Sequence, residues 1–127
     1  MLTTGIKATA EVTVDNSNTA KSMESGSLDV FATPAMIALI EKAACNALSG
    51  KLCEGMTSVG TKLDVAHTAA TPVGMKVTAE AELIEIDDRR LVFSVIAKDE
   101  KGVIGKGTHE RFIVNAEKFT AKTYSKV

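Results

Sequence analysis

Residues 33–50, TPAMIALIEKAACNALSG, decide how the rest of the chain must be read. Thr33 stands where an N-cap hydroxyl is wanted, Pro34 fits the first helical position, and Gly50 stops the run. The spacing predicts a helix from Pro34 to Leu48 in which only Glu41 and Lys42 are charged. A helix apolar nearly all round has no solvent face of normal width and must be wrapped on most sides. Its surroundings read as strands. Ahead of it, residues 7–14 (KATAEVTV) alternate and are rich in β-branched side chains. Behind it come 57–69, 75–86, 90–100 and 102–115, separated only by TP-G, DD and a Lys-Gly pair. Breaks this short make antiparallel neighbours, because a parallel crossover needs a dozen or more residues. The order β–α–ββββ implies an α+β hotdog fold, a five-stranded antiparallel sheet wrapped around one central helix, as a single domain over residues 1–127.

Strand parity refines this. Val59, Leu63, Val65 and His67 are expected on one face of the second strand, with Lys62, Asp64 and Thr68 on the other. In the third, Met75, Val77, Ala79, Ala81 and Leu83 oppose Lys76, Thr78, Glu80 and Glu82. Strands 90–97 and 111–114 are apolar on both faces for part of their length, which calls for a second copy of the chain and hence a homodimer or higher homo-oligomer. Residues 15–32 (DNSNTAKSMESGSLDVFA) show little periodicity. So long a connection in a small domain reads as a functional lid or a mobile segment.

Composition narrows the function. Of 127 residues 45% are apolar and 24% charged, with a net charge of −1, so neither nucleic acid nor an anionic membrane is an expected partner. There is no apolar run near the ~20 residues of a membrane span. The N-terminus lacks the pattern of a secretory signal, and Cys45 and Cys53 read as free thiols, so a cytoplasmic location is expected. Without a CxxC and with two histidines, neither a metal site nor a cofactor is expected.

Three polar residues remain conspicuous. Glu41 in an apolar helix is costly unless paired, hydrogen-bonded or set at a wet cleft, and such a carboxylate suits a general base. The alternative is that Glu41 and Lys42 mark a narrow solvent stripe. Thr33, eight residues earlier, is explained by capping alone, although a cap hydroxyl also sits beside the positive end of a helix, where an oxyanion is stabilised. His67 falls on the apolar face, as a satisfied core histidine or as a catalyst. Gly60 reads as a bulge or a close backbone approach, either of which frees an N–H for a substrate. His109 and Arg111 share a face of the last strand and, taken alone, read as ordinary solvated residues. Lys118, Lys122 and Lys126 read as a solvated basic tail.

Taken together, VFATPAMIALIEKAAC, the Gly60-to-His67 spacing, HTAATPVGMKVTAEAEL and GKGTHERFIVNAEKF resemble the fluoroacetyl-CoA thioesterase-like branch of the hotdog superfamily over about residues 28–122. The resemblance implies hydrolysis of acyl-CoA thioesters by a homodimer, with catalytic Thr33, Glu41 and His67 and with Gly60 and Arg111 contacting substrate. It also implies that fluoroacetyl selectivity rests on phenylalanines in the lid, whereas KSMESGSLD (21–29) has no aromatic residue. The expected function is therefore hydrolysis of a short-chain acyl-CoA to free acid and CoA without fluoroacetyl selectivity. The alternatives are a non-catalytic acyl-CoA or small-ligand binder on the same fold, and more remotely a hotdog dehydratase.

Overall fold

The computed structural model describes residues 2–127. Strand β1 (Lys7–Thr13) leads through the long connection into helix α1 (Thr33–Leu48). Then follow β2 (Met56–His67), β3 (Lys76–Asp87), β4 (Arg90–Asp99), β5 (Gly102–Asn115) and a terminal helix α2 (Ala116–Tyr124). The strands form one antiparallel sheet in the order β1-β3-β4-β5-β2, which leaves β1 and β2 as its edges. This is the expected hotdog arrangement.

The core follows from periodicity. On β3 the alternation buries Val77, Ala79, Ala81 and Leu83, and α1 supplies Met36, Ile40, Ala43, Ala44 and Ala47 to the same cluster. Alanines on both elements let the helix axis approach the sheet closely. Helix α1 packs mainly on β1 and β3. Over β5, Gly105 makes room for the helix, since a Cβ there would meet Met36 Sδ at 2.8 Å.

Two expectations are corrected and two are refined. Helix α1 does have a solvent stripe, formed by Pro34, Ala38, Lys42 and Cys45; Glu41 is only half-buried and points off that stripe toward the sheet. Parity on β2 fails at Thr61, where the register to β5 shifts between Gly60 and Lys62. Directly opposed residues share a face, so Leu63 joins inward-facing His109, whereas Val59 pairs with exposed Phe112 on the outer side. The tail is solvated, as expected, and it is helical. Asn115 caps α2 by accepting from the Lys118 N–H at 2.9 Å, but the helix buries no side chain, so the chain carries no apolar stripe to announce it. Last, the connection before α1 is tied down. A bridge from Thr19 to Phe31 joins its ends and one from Val30 to Pro72 ties it to the loop after β2, while residues 21–29 form an exposed tip.

Candidate active site

The first turn of α1 and the end of β2 bring Thr33 and His67 together, although they are 34 residues apart. Thr33 Oγ1 lies 2.7 Å from His67 Nδ1. This bond explains why the capping expectation fails. Ala32, with extended φ and ψ, occupies the N-cap, no side chain caps the helix, and the Thr33 hydroxyl is committed to the imidazole. The pairing is enforced by backbone. The Phe31 N–H donates to the Thr71 carbonyl at 2.9 Å, and the Thr68 N–H donates to Ile104 at 2.7 Å. The loop after His67 is thereby stitched both to the strand leading into the helix and to β5. Thr71, fully buried, donates from Oγ1 to the Asp99 carboxylate at 2.8 Å, which anchors the same loop.

His67 is half-buried, and its Nε2 has no hydrogen-bond partner. Burial pushes its pKa below the usual histidine range, and the nearby Ala69 backbone opposes this in part. The ring is therefore neutral at physiological pH, with one nitrogen engaged by a hydroxyl and the other bare. A buried polar atom left unpaired costs about 1–3 kcal/mol, so the pocket is built to have that nitrogen met by something else. Beside it opens a cleft of about 280 Å³ lined by Ala20, Ser25, Val30, Phe31, Thr33, His67 and residues 68–70. Its size is near the lower limit for small-molecule pockets, which suits a short acyl group better than a long chain. The tip of the 15–32 connection contributes Ser25, and the aromatic residue in the lining is buried Phe31.

Helix geometry adds donors. Of the N–H positions that open a helix without an intrahelical partner, that of Ala32 bonds to Asn18 at 2.9 Å and Pro34 has none. Those of Thr33 and Ala35 face the positive end of the helix dipole.

A second cluster surrounds Glu41. A Cβ on Gly60 would collide with Glu41 Oε2, so the glycine is what admits the carboxylate against β2. Both sequence readings of Gly60 hold, because the β-bulge begins there and a side chain also approaches its backbone closely. Arg111 reaches the same carboxylate, with Nη1 3.5 Å from Glu41 Oε2. Its Nε donates to Ser58 Oγ at 2.8 Å, and its Nη2 donates to the Ser58 carbonyl at 3.0 Å. Arg111 and His109 are both buried, contrary to the expectation that they are solvated. The signal was present in the alternation of β5: in KGTHER Lys106 and Thr108 are exposed and Glu110 pairs with Arg90 on the same face, which turns His109 and Arg111 inward. Ser58 was not picked out from the sequence, and nothing in its local pattern distinguishes it.

Thus all five expected residues lie at two groups, Thr33 with His67 and Glu41 with Gly60 and Arg111. Among the described residues, no hydrogen bond or ion pair joins the groups. The eight-residue step from Thr33 to Glu41 spans about 12 Å of helix axis.

Residues 14–117 match the family described as FlK, fluoroacetyl-CoA-specific thioesterase. A fluoroacetyl-CoA thioesterase of Streptantibioticus cattleyicolor is 47% identical over 98 residues, covering 77% of this chain and 70% of that protein. A solved structure of the fluoroacetyl-CoA thioesterase FlK superposes with a TM-score of 0.94 at 38% identity, covering 100% of this chain and 98% of the other. A variant of that enzyme in complex with acetyl-CoA gives 0.91 at 38% identity, covering 99% of each chain. A Thermus thermophilus protein described as a thioesterase superfamily member gives 0.90 at 28% identity, covering 98% and 93%.

Proposed function

This chain belongs to the FlK family of thioesterases, and from that membership we propose that it hydrolyses a short-chain acyl-CoA to the free acid and CoA. The observation that carries the reading is the Thr33–His67 pair, a hydroxyl on a neutral imidazole that lines a small cleft and whose other nitrogen is buried without a partner. A non-catalytic binder has no need of such a pair. Water supplies the elements added across the thioester: the C–S bond breaks, the acyl carbon gains an oxygen, and the thiol leaves with a proton. Glu41 acts either as general base toward water or as nucleophile, and His67 shuttles the proton. The oxyanion is met at the start of α1 or at the Gly60 bulge, where the ladder to β5 is interrupted. Gly60 borders the substrate; Arg111, with its guanidinium nitrogens all engaged, holds Glu41 in place; and no cofactor takes part.

Selectivity is the finer part of the proposal. Residues 21–29 offer no aromatic side chain to close over a fluorine, and Phe31 is packed into the core rather than presented at the tip. An apolar pocket separates groups that differ by a methylene by about 1–3 kcal/mol, so kcat/KM for fluoroacetyl-CoA over acetyl-CoA should stay within ~10²-fold. Thiol release from a panel of acyl-CoAs tests activity and selectivity together. A ratio of many thousands would place the selectivity outside the lid, and silence on every substrate would leave the binding reading.

The assembly belongs to the same proposal. The 12-residue edge strand β2 and exposed Phe112 and Ile84 suit burial against a second copy, and a homodimer with sites near the subunit boundary offers a way to join the two groups. Sedimentation equilibrium should give twice the 13.4 kDa chain mass; a clean monomer would refute it. Free Cys45 and Cys53 fit a cytoplasmic setting, and among the described residues no helix is long and apolar enough to cross a membrane.

A further inference from the structure

His109 has no part in the chemistry above, yet it is among the most enclosed polar side chains of the molecule, with 0% of its surface exposed. Its two ring nitrogens face opposite demands. Nδ1 lies 2.9 Å from the Lys62 carbonyl oxygen, which can only accept, so Nδ1 carries a proton. Nε2 lies 3.1 Å from Arg111 Nη1, which can only donate, so Nε2 presents its lone pair. One form satisfies both neighbours: the neutral imidazole protonated on Nδ1. Burial favours that form most and the charge of Arg111 reinforces it, while the Lys62 carbonyl and the Glu41 and Glu110 carboxylates oppose it in part. Phe93 stacks on the ring with centroids 6.3 Å apart, which fixes its plane.

The ring therefore links two features the site depends on. Lys62 directly follows the bulge that begins at Gly60, and Arg111 Nη1 also meets the Glu41 carboxylate. With Nε and Nη2 held on Ser58, the lone pair of His109 is what fixes the remaining arm of the guanidinium. We propose that His109 is a positioning residue, a lone-pair acceptor that holds Arg111 so that its guanidinium meets Glu41 against Gly60 in one geometry. This rests on Glu41 being the reacting carboxylate.

The test compares His109→Leu, which keeps bulk but removes the acceptor, with His109→Gln, whose amide oxygen accepts from Arg111 while its NH₂ donates to Lys62. For acyl-CoA hydrolysis, His109→Leu should lower kcat by about tenfold or more with KM nearly unchanged, the pattern of a displaced reacting group. His109→Gln should recover most of the loss. A residue that merely fills the core would show no such rescue, so full kcat in the leucine variant, or equal losses in both, overturns the proposal. Imidazole ¹⁵N spectra of the wild-type protein supply a readout independent of turnover. His109 should be the Nδ1–H tautomer from about pH 7 to 8. A ring that titrates there, or that is protonated on Nε2, overturns the proposal even if the leucine variant fails to fold. A wild type inactive on every acyl-CoA refutes the functional reading and the positioning role with it, whereas a titrating His109 in an active enzyme refutes the positioning role alone.

Discussion

Around Thr33 and His67 a single 2.7 Å hydrogen bond leaves one ring nitrogen bare, whereas around Arg111 each guanidinium nitrogen has a partner. The first group borders a cleft, with Thr33 exposed and His67 half-buried; in the second His109 and Arg111 are buried, while Gly60 and part of Glu41 reach toward water. The difference teaches how the work of a site divides. An unsatisfied polar atom is tolerable where a ligand will meet it, while a buried guanidinium is tolerable only when hydrogen-bonded and paired. One group is left open to receive a substrate, and the other is saturated so that a carboxylate stays where it is put.

The sharpest way to break this comparison is to remove one reacting group from each side. His67→Ala and Glu41→Gln should each lower kcat by ~10² or more with circular dichroism unchanged, the loss usual for an acid–base group. Thr33→Ala should cost more than Thr33→Ser, because only alanine deletes the hydroxyl that His67 holds. Full activity in Glu41→Gln would return Glu41 to being a plain partner for Arg111.

Gly60→Ala probes the saturated side without deleting a functional group. The new Cβ meets the far end of a flexible side chain, so Glu41 can swing aside and the fold should stand. The carboxylate is then displaced by about an ångström, and kcat should fall by roughly 10-fold to 10²-fold. A large drop in melting temperature with proportionate loss of activity would show that the glycine serves the bulge rather than the carboxylate.

The smallest effect concerns acid stability. Burial lowers the pKa of His109 in the folded state, so below the unfolded value near 6.5 the unfolded chain binds a proton that the folded one does not. Stability should therefore fall as pH drops from about 6.5 toward the folded pKa, by at most about 1.4 kcal/mol per pH unit for this group, and should be flat with respect to it above that window. Urea midpoints of the wild type and His109→Gln between about pH 7 and 5 would measure it, with the slope reduced in the variant; equal slopes would mean that His109 titrates normally in the folded protein.

The sequence by itself determined the element order, the buried helix and the antiparallel sheet, because apolar spacing and short turns are local properties that each segment carries in its own residues. It also marked Glu41, Gly60 and His67 as out of place where they stand. What only the tertiary structure decided lay in pairings across the chain. Thr33 looks like a cap until His67, brought to it by the backbone ties at Phe31, Thr68 and Thr71, claims its hydroxyl. His109 and Arg111 look solvated until the folded sheet sets their face of β5 against Lys62, Ser58 and Glu41. Helix α2 escaped notice because an exposed helix needs no apolar stripe. Periodicity tells which way a side chain alternates, but one extra residue in a strand reverses the faces beyond it, and that residue shows only in the register with its neighbour.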